Sequence, residues 1–353
     1  MSLTRRFLLT LAGVSTAALL TGPALADQAS DAARTAKAAE MVDTAQFKKD
    51  GPLKVGVSAG YLANSWVVFA LQHIHWEASK HSEIENVVVT DAGFNPAKQV
   101  SDIEDLMRQD IDLLIYWPVD DASVEDVLKR AVDAGIPTVQ AGGGFTDSEG
   151  TVANAYISQY KLGEMVARQL MKDIDGKGKI VAMLPIAGTT AAVEQLEALE
   201  AVLEDYPDVE LLSVEYGDWN RGKAKQITEN LLQRFPTITG VYSPAGQMSL
   251  GMVEAFDEAG RLSEVTFSPG DEYNGWLKWV AEHQQGGAVT FPTRAGQVAL
   301  QVGLDILDGT SVPRGTAVES EYIAPSDIEA LVSPQAPDDW WASSLPEEFL
   351  PQQ

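Results

Sequence analysis

Short apolar runs and longer amphipathic stretches alternate along most of this chain. Residues 53–57, 87–90, 113–116 and 137–140 are brief and rich in valine, isoleucine and leucine, and segments from about 65, over 96–109 and over 123–134 carry helical spacing between them. Such alternation predicts βαβ units around a parallel sheet buried on both faces. The rhythm restarts with predicted strands at 179–184, 209–214, 240–242 and 264–268, and helices near 190–205, 221–234, 247–260 and 273–285. Two successive units predict an α/β protein of two doubly wound lobes rather than one broad sheet. Ligands of such folds gather beyond the carboxyl ends of the strands, so the loops there are the place to look for chemistry.

Ahead of the regular pattern, residues 27–50 are polar and alanine-rich and predict a leader helix or a loose arm. The first 26 residues have the layout of an export signal: Arg5-Arg6, an apolar run over 7–20, then Ala24-Leu25-Ala26. The run is short of the roughly 20 residues that span a bilayer, which predicts cleavage before Asp27 and release into the periplasm. Arg5-Arg6 leaves both the general and the twin-arginine export routes open. With 51 acidic against 25 basic residues the net charge is −26, so nucleic acid and anionic membranes are poor partners. There is no cysteine, and an exported chain without disulfides must rely on its core.

The strand-end loops are rich in aromatic and amide side chains. Asn64 and Trp66 follow the first strand, where they can bind hydroxyls and stack on a ring, or else cap the helix and pack. Trp117 ends the third strand, ahead of Asp120 and Asp121, the second of which suits a helix cap. Gly142 lies in a run of three glycines that lets a ligand approach closely. In the second half Thr190 opens a helix, Trp219 sits in Asp218-Trp219-Asn220, and Asp271 and Asn274 share one loop. Asp271 can accept two sugar hydroxyls or cap the helix that carries Trp276. Taken together these loops point to recognition of a small hydroxylated molecule. The four histidines, His73, His75, His81 and His283, lack metal-pair spacing, and neither a phosphate-binding glycine motif nor a nucleophile motif is present. No cofactor, no metal and no enzymatic activity are therefore expected.

The chain resembles the type I periplasmic binding proteins of ABC importers, the ribose-binding-like group. The resemblance covers roughly residues 52–325. It rests on PLKVGVSAGY with Asn64 and Trp66 beyond it, on DAGFNPAKQVSDIEDLMRQDIDLLIYWPVDDASVEDVLKRAVDAGIPTV, on GKGKIVAMLPIAGTTAAVEQLEALEAVL and on GDWNRGKAKQITENLLQRFPTITGVYSPAGQMSLGMVEAF. By this resemblance Asn64, Trp66, Trp117, Ser158, Trp219, Asp271 and Thr290 bind ligand. Gln195 stands where an arginine is usual, Ala245 where an asparagine is usual, and Ala141-Gly142-Gly143 replaces an Asp-Arg pair. The resemblance also implies a hinge of three crossovers, near 157–160, 286–290 and 315–320. One lobe would then hold 51–157 and 289–316, and the other 158–288 with a tail over 317–353. A monomer that closes on a sugar or polyol and delivers it to permease subunits of the inner membrane is implied; the alternative is a sensor of the same fold signalling to a membrane histidine kinase.

Overall fold

The computed structural model describes residues 23–351, so the expected export signal, apart from its last four residues, lies outside the described residues. The chain opens with α1 (Pro23–Ala38) and β1 (Met41–Val42). It continues through β2 (Leu53–Ala59), α2 (Ser65–Ala78), β3 (Ile84–Asp91), α3 (Pro96–Arg108), β4 (Leu113–Trp117), α4 (Asp121–Asp133), β5 (Thr138–Ala141) and β6 (Ala153–Tyr156). There follow α5 (Gln159–Asp173), β7 (Gly178–Leu184), α6 (Thr190–Leu203), β8 (Val209–Tyr216), α7 (Arg221–Arg234), β9 (Gly240–Tyr242), α8 (Gly246–Glu258), β10 (Thr266–Phe267) and α9 (Asn274–His283). The last elements are β11 (Ala288–Val289), α10 (Ala295–Leu307), β12 (Val312–Pro313), β13 (Gly315–Ala317) and β14 (Tyr322–Ile323).

The two large sheets have the orders β13-β6-β5-β4-β2-β3 and β10-β9-β7-β8, with every pair parallel, and β1-β12 and β11-β14 form small antiparallel pairs. All five residues of β4 are buried, as are the last five of β7. Only a strand covered by helices on both faces can be apolar at every position. Helix starts are set by side-chain caps: Asn95 for α3, with Pro96 at its first position, Asp120 for α4, Thr189 for α6 and Asn220 for α7. In each sheet the first strand has its successor on one side and the next strand on the other, β3 and β4 about β2, β8 and β9 about β7. The winding reverses there, and a crevice opens at the carboxyl ends.

Several segments depart from the sequence expectation. Helices α5 and α10 went unforeseen; α10 is mostly apolar because it packs against α2, β4, β5 and β6. Of the two expectations for 27–50, the leader helix holds in α1, and the rest of the segment is packed rather than loose. β1 pairs antiparallel with β12, Phe47 is buried, and Ala38 packs with Phe145 and Tyr156.

The tail, expected to stay with the second lobe, returns to the first. It leaves α9 with Gly275 N donating to Asp338 O and Asn274 N to Trp340 O, both at 2.9 Å. Trp340 then meets Phe69 of α2 edge-on at 4.9 Å, Trp341 Nε1 donates to Ser65 Oγ at 2.9 Å, and Ser343 Oγ hydrogen-bonds His73 Nε2 at 3.0 Å. Its large apolar side chains need a covering surface, and α2 supplies one.

Candidate ligand-binding cleft

A cleft of about 880 Å³ lies between the carboxyl ends of the two sheets. That is toward the upper end of small-molecule sites, roughly 300–1,000 Å³. Asn64, Trp66, Trp117, Gly142, Thr190, Gln195, Trp219, Ala245 and Asp271 all line it.

Trp66 is fixed from three sides. Its backbone N–H donates to Asn64 Oδ1 at 2.9 Å, so Asn64 caps α2 as well as facing the cleft. The indole Nε1 donates to Phe291 O at 2.7 Å, and the two rings lie 5.2 Å apart. Gly142 has φ +68, and a Cβ there would overlap the indole. Glycine at 142 is thus required by both its backbone conformation and the seat of Trp66. With its N–H occupied, Trp66 presents a ring face.

Other polar groups are buried and waiting. Trp117 Nε1, Gln140 Oε1 and Gln195 Oε1 find no hydrogen-bond partner among the described residues, although each of these residues is at most 5% exposed. Gln195 is oriented through its other end, Nε2 donating to Gln159 Oε1 at 3.0 Å. Unpaired buried donors and acceptors cost free energy unless a guest completes them. One donor and two acceptors suited to hydroxyls are therefore left unpaired on residues that line the cleft.

Asp271 closes the far side. Its Oδ1 accepts from Gly246 N at 2.9 Å, and Tyr273 N also donates to the carboxylate. Ala245, the residue before α8, has no capping side chain, so Asp271 caps that helix from the loop between β10 and α9. Burial pushes its pKa up to about 7 despite the two donors. Trp219 and Asp218 hold left-handed backbone, φ +49 and +55, which is costly for a bulky residue. That turn carries the Trp219 ring to the cleft wall.

The lobes meet at the mouth. A Cβ on Gly144 would stand 2.5 Å from Thr190 Cγ2, and the Thr190 hydroxyl faces Asp121. Tyr61 and Phe94 stack beside it, ring centroids 4.6 Å apart and 3° from parallel.

Ser158, Asn274 and Thr290 do not line the cleft, because their polar atoms serve the chain. Ser158 Oγ caps α5 by accepting from Lys161 N at 3.2 Å. Asn274 Nδ2 donates to Ser333 O, Ala336 O and Pro337 O, and its Oδ1 accepts from Ser333 N. Thr290 exchanges two hydrogen bonds with the backbone of Glu321, each 2.8 Å. Sequence reading missed Tyr61, Phe94, Gln140, Gln159, Phe291 and Trp341, all of which line the cleft. Tyr61 is three residues before Asn64, a signal that was available; nothing local marked Gln140 or Trp341.

A family model described as a periplasmic binding protein domain matches residues 55–311. The chain belongs to the periplasmic binding proteins. This periplasmic binding protein is 27% identical over 262 residues to a ribose import binding protein of Bacillus subtilis, covering 74% of this chain and 83% of that one. A xylitol-binding protein of Mycolicibacterium smegmatis is 25% identical over 249 residues, 70% of each chain. In the solved fructose binding periplasmic domain of a hybrid two component system the fold recurs with a TM-score of 0.73 at 26% identity, over 79% of this chain and 92% of that one. Members of the family are periplasmic and bind solutes rather than transform them.

Proposed function

We propose that the protein is the ligand-capturing subunit of an ABC importer and that it closes on a small sugar or polyol. The observation that carries this is the set of partnerless buried groups, Trp117 Nε1, Gln140 Oε1 and Gln195 Oε1, on residues that line an interlobe cleft together with aromatic side chains. The ribose and xylitol relatives support the same ligand class. Closure is a hinge motion in which ligand stabilises the closed arrangement through its greater affinity for it. In this reading the signal is cleaved before Asp27, the mature chain is a monomer, and permease subunits of the inner membrane receive the closed form. One lobe comprises 51–157 with 289–316 and the other 158–288, while the tail beyond 317 touches both.

Asn64, Trp66, Trp117, Gly142, Thr190, Gln195, Trp219, Ala245 and Asp271 form the ligand site, together with Gln140 and Trp341. A second reading, a sensor domain, is favoured by the likeness to the domain of the two component system. The test is a thermal-shift screen of the mature protein against pentoses, hexoses, polyols and small furanoses, since a ligand of the native state raises the melting temperature. A shift with an amino acid or a purine and with no hydroxylated compound overturns the ligand class. Uptake by vesicles carrying the permease separates importer from sensor.

A further inference from the structure

The charge of the cleft is one-sided. Among the described residues that line it, Asp120, Asp121 and Asp271 are carboxylates and none is lysine or arginine. Ala141-Gly142-Gly143 stands where the resemblance leads one to expect an Asp-Arg pair, and Gln195 where it leads one to expect an arginine. Asp120 is already engaged, accepting from Ser123 as the cap of α4. Asp121 sits at the mouth, facing Thr190. Asp271 is the deep one, 9% exposed, and the donors on it, Gly246 N and Tyr273 N, are neutral backbone groups. A buried carboxylate without a counter-charge is expensive, and here the protein supplies none.

We propose that the hydroxylated ligand bears a protonated amine, as an amino sugar or amino polyol does, and that Asp271 receives it. This rests on the reading of the cleft as a sugar or polyol site. The ammonium supplies the missing counter-charge, and an N⁺–H···O⁻ hydrogen bond is stronger than a neutral one. The indole faces of Trp66 and Trp219 suit the same guest, because an aromatic ring attracts a cation as well as the C–H face of a sugar. Trp117 Nε1, Gln140 Oε1 and Gln195 Oε1 remain for the hydroxyls. Anionic sugars are rejected, since three carboxylates and a net charge of −26 oppose them. Burial raises Asp271 to about 7, so its ionisation near neutral pH is readily completed by a cation beside it.

The test uses matched quartets of titrants on the mature protein: a hexose, its 2-amino-2-deoxy analogue, the N-acetylated amine and the uronate, for glucose, galactose and mannose, with calorimetry at pH 6.5. In the quartet that binds, the amine is expected to bind roughly tenfold tighter than the neutral parent, the N-acetyl form to lose that gain, and the uronate not to bind. Asp271→Asn is expected to weaken the amine roughly tenfold more than the neutral parent, so that the advantage of the amine is lost. A neutral parent that binds as tightly as its amine, or Asp271→Asn weakening both equally, overturns the inference and leaves the proposed function standing. If no member of any quartet and no other hydroxylated compound binds, the proposed function itself has failed. Should Asp271→Asn not fold, the order of the four affinities in the wild type decides alone.

Discussion

Arg34 of α1 sets its Nε 3.3 Å from Oε1 of Glu194 on α6, and its Nη1 lies 3.2 Å from Glu197 Oε2 on the next turn. The same helix is bound to the other lobe: Ala38 packs on Phe145 and Tyr156, and Glu40 O accepts from Arg314 N at 2.8 Å. The N-terminal arm therefore spans the two lobes, and its ion pair grips the helix whose first turn lines the cleft.

Removing that grip should loosen closure. Breaking a buried pair usually costs about 3–5 kcal/mol because a charge is left stranded. Glu194 escapes part of this, since burial already raises it to about 7 against the pull of Arg34, and it can take up a proton instead. Arg34→Ala is thus expected to lower the melting temperature more at pH 8.5 than at pH 6, and to speed ligand release in stopped-flow measurements. Equal losses at both pH values and an unchanged release rate would contradict this coupling.

Gly142 and Gly143 offer a paired test of the Trp66 seat. Both have positive φ, +68 and +75, so alanine at either carries a left-handed penalty of about 1–2 kcal/mol. Only at 142 would the new methyl collide with the indole; at 143 the nearest atom is Gln140 Nε2 at 3.8 Å. Gly142→Ala should therefore weaken ligand binding by at least about tenfold beyond Gly143→Ala, read by calorimetry. Matching losses would show that Trp66 does not need its place.

Stability should fall between pH 6.5 and 8.5. Burial raises Glu194 and Asp271 to about 7 and Glu272 to about 8, so in that window the folded chain holds protons that the unfolded chain has lost. Stability from such groups is present below about pH 4 and drains away as pH rises through the folded values. His73 runs the other way: burial, with Lys80 and Arg294 nearby, lowers it to about 4. Its contribution is lost only as pH falls below about 6.5, outside this window. Glu272→Gln, which keeps an acceptor for Phe291 N, is expected to flatten the decline of melting temperature with pH. A slope that does not change in the variant would assign the decline elsewhere.

Trp341 tests the tail. It is 4% exposed, and its indole joins Ser65 Oγ and packs near Tyr273 at 6.4 Å. Trp341→Ala should cost about 3–5 kcal/mol, whereas Trp341→Phe, which keeps most of the packing, should cost about 1 kcal/mol for the lost hydrogen bond. Urea unfolding measures both. Near-equal costs would mean that the ring contributes little.

What the sequence disclosed follows the range over which each signal acts. The β4 run and the Trp117 that ends it are local, because a strand buried on both faces must be apolar throughout. Trp66 and Asp271 were legible for the same reason, each standing just beyond a strand. Asn274 and Thr290 looked equally suitable but were claimed by backbone 59 and 31 residues away. Asp271 does cap a helix, but α8 rather than the α9 that follows it. The grip of Arg34 on Glu194 and that of Trp341 on Ser65 join residues 160 and 276 positions apart, and no periodic pattern records such a pairing.

Trp341 also follows every strand of the two sheets in the chain. Both sheets can be complete without it, yet the cleft then lacks part of its lining. A chain clipped by a protease between β14 and Trp341 would keep both sheets and lose a ring from its cleft, so capture of solute depends on a segment that neither sheet needs.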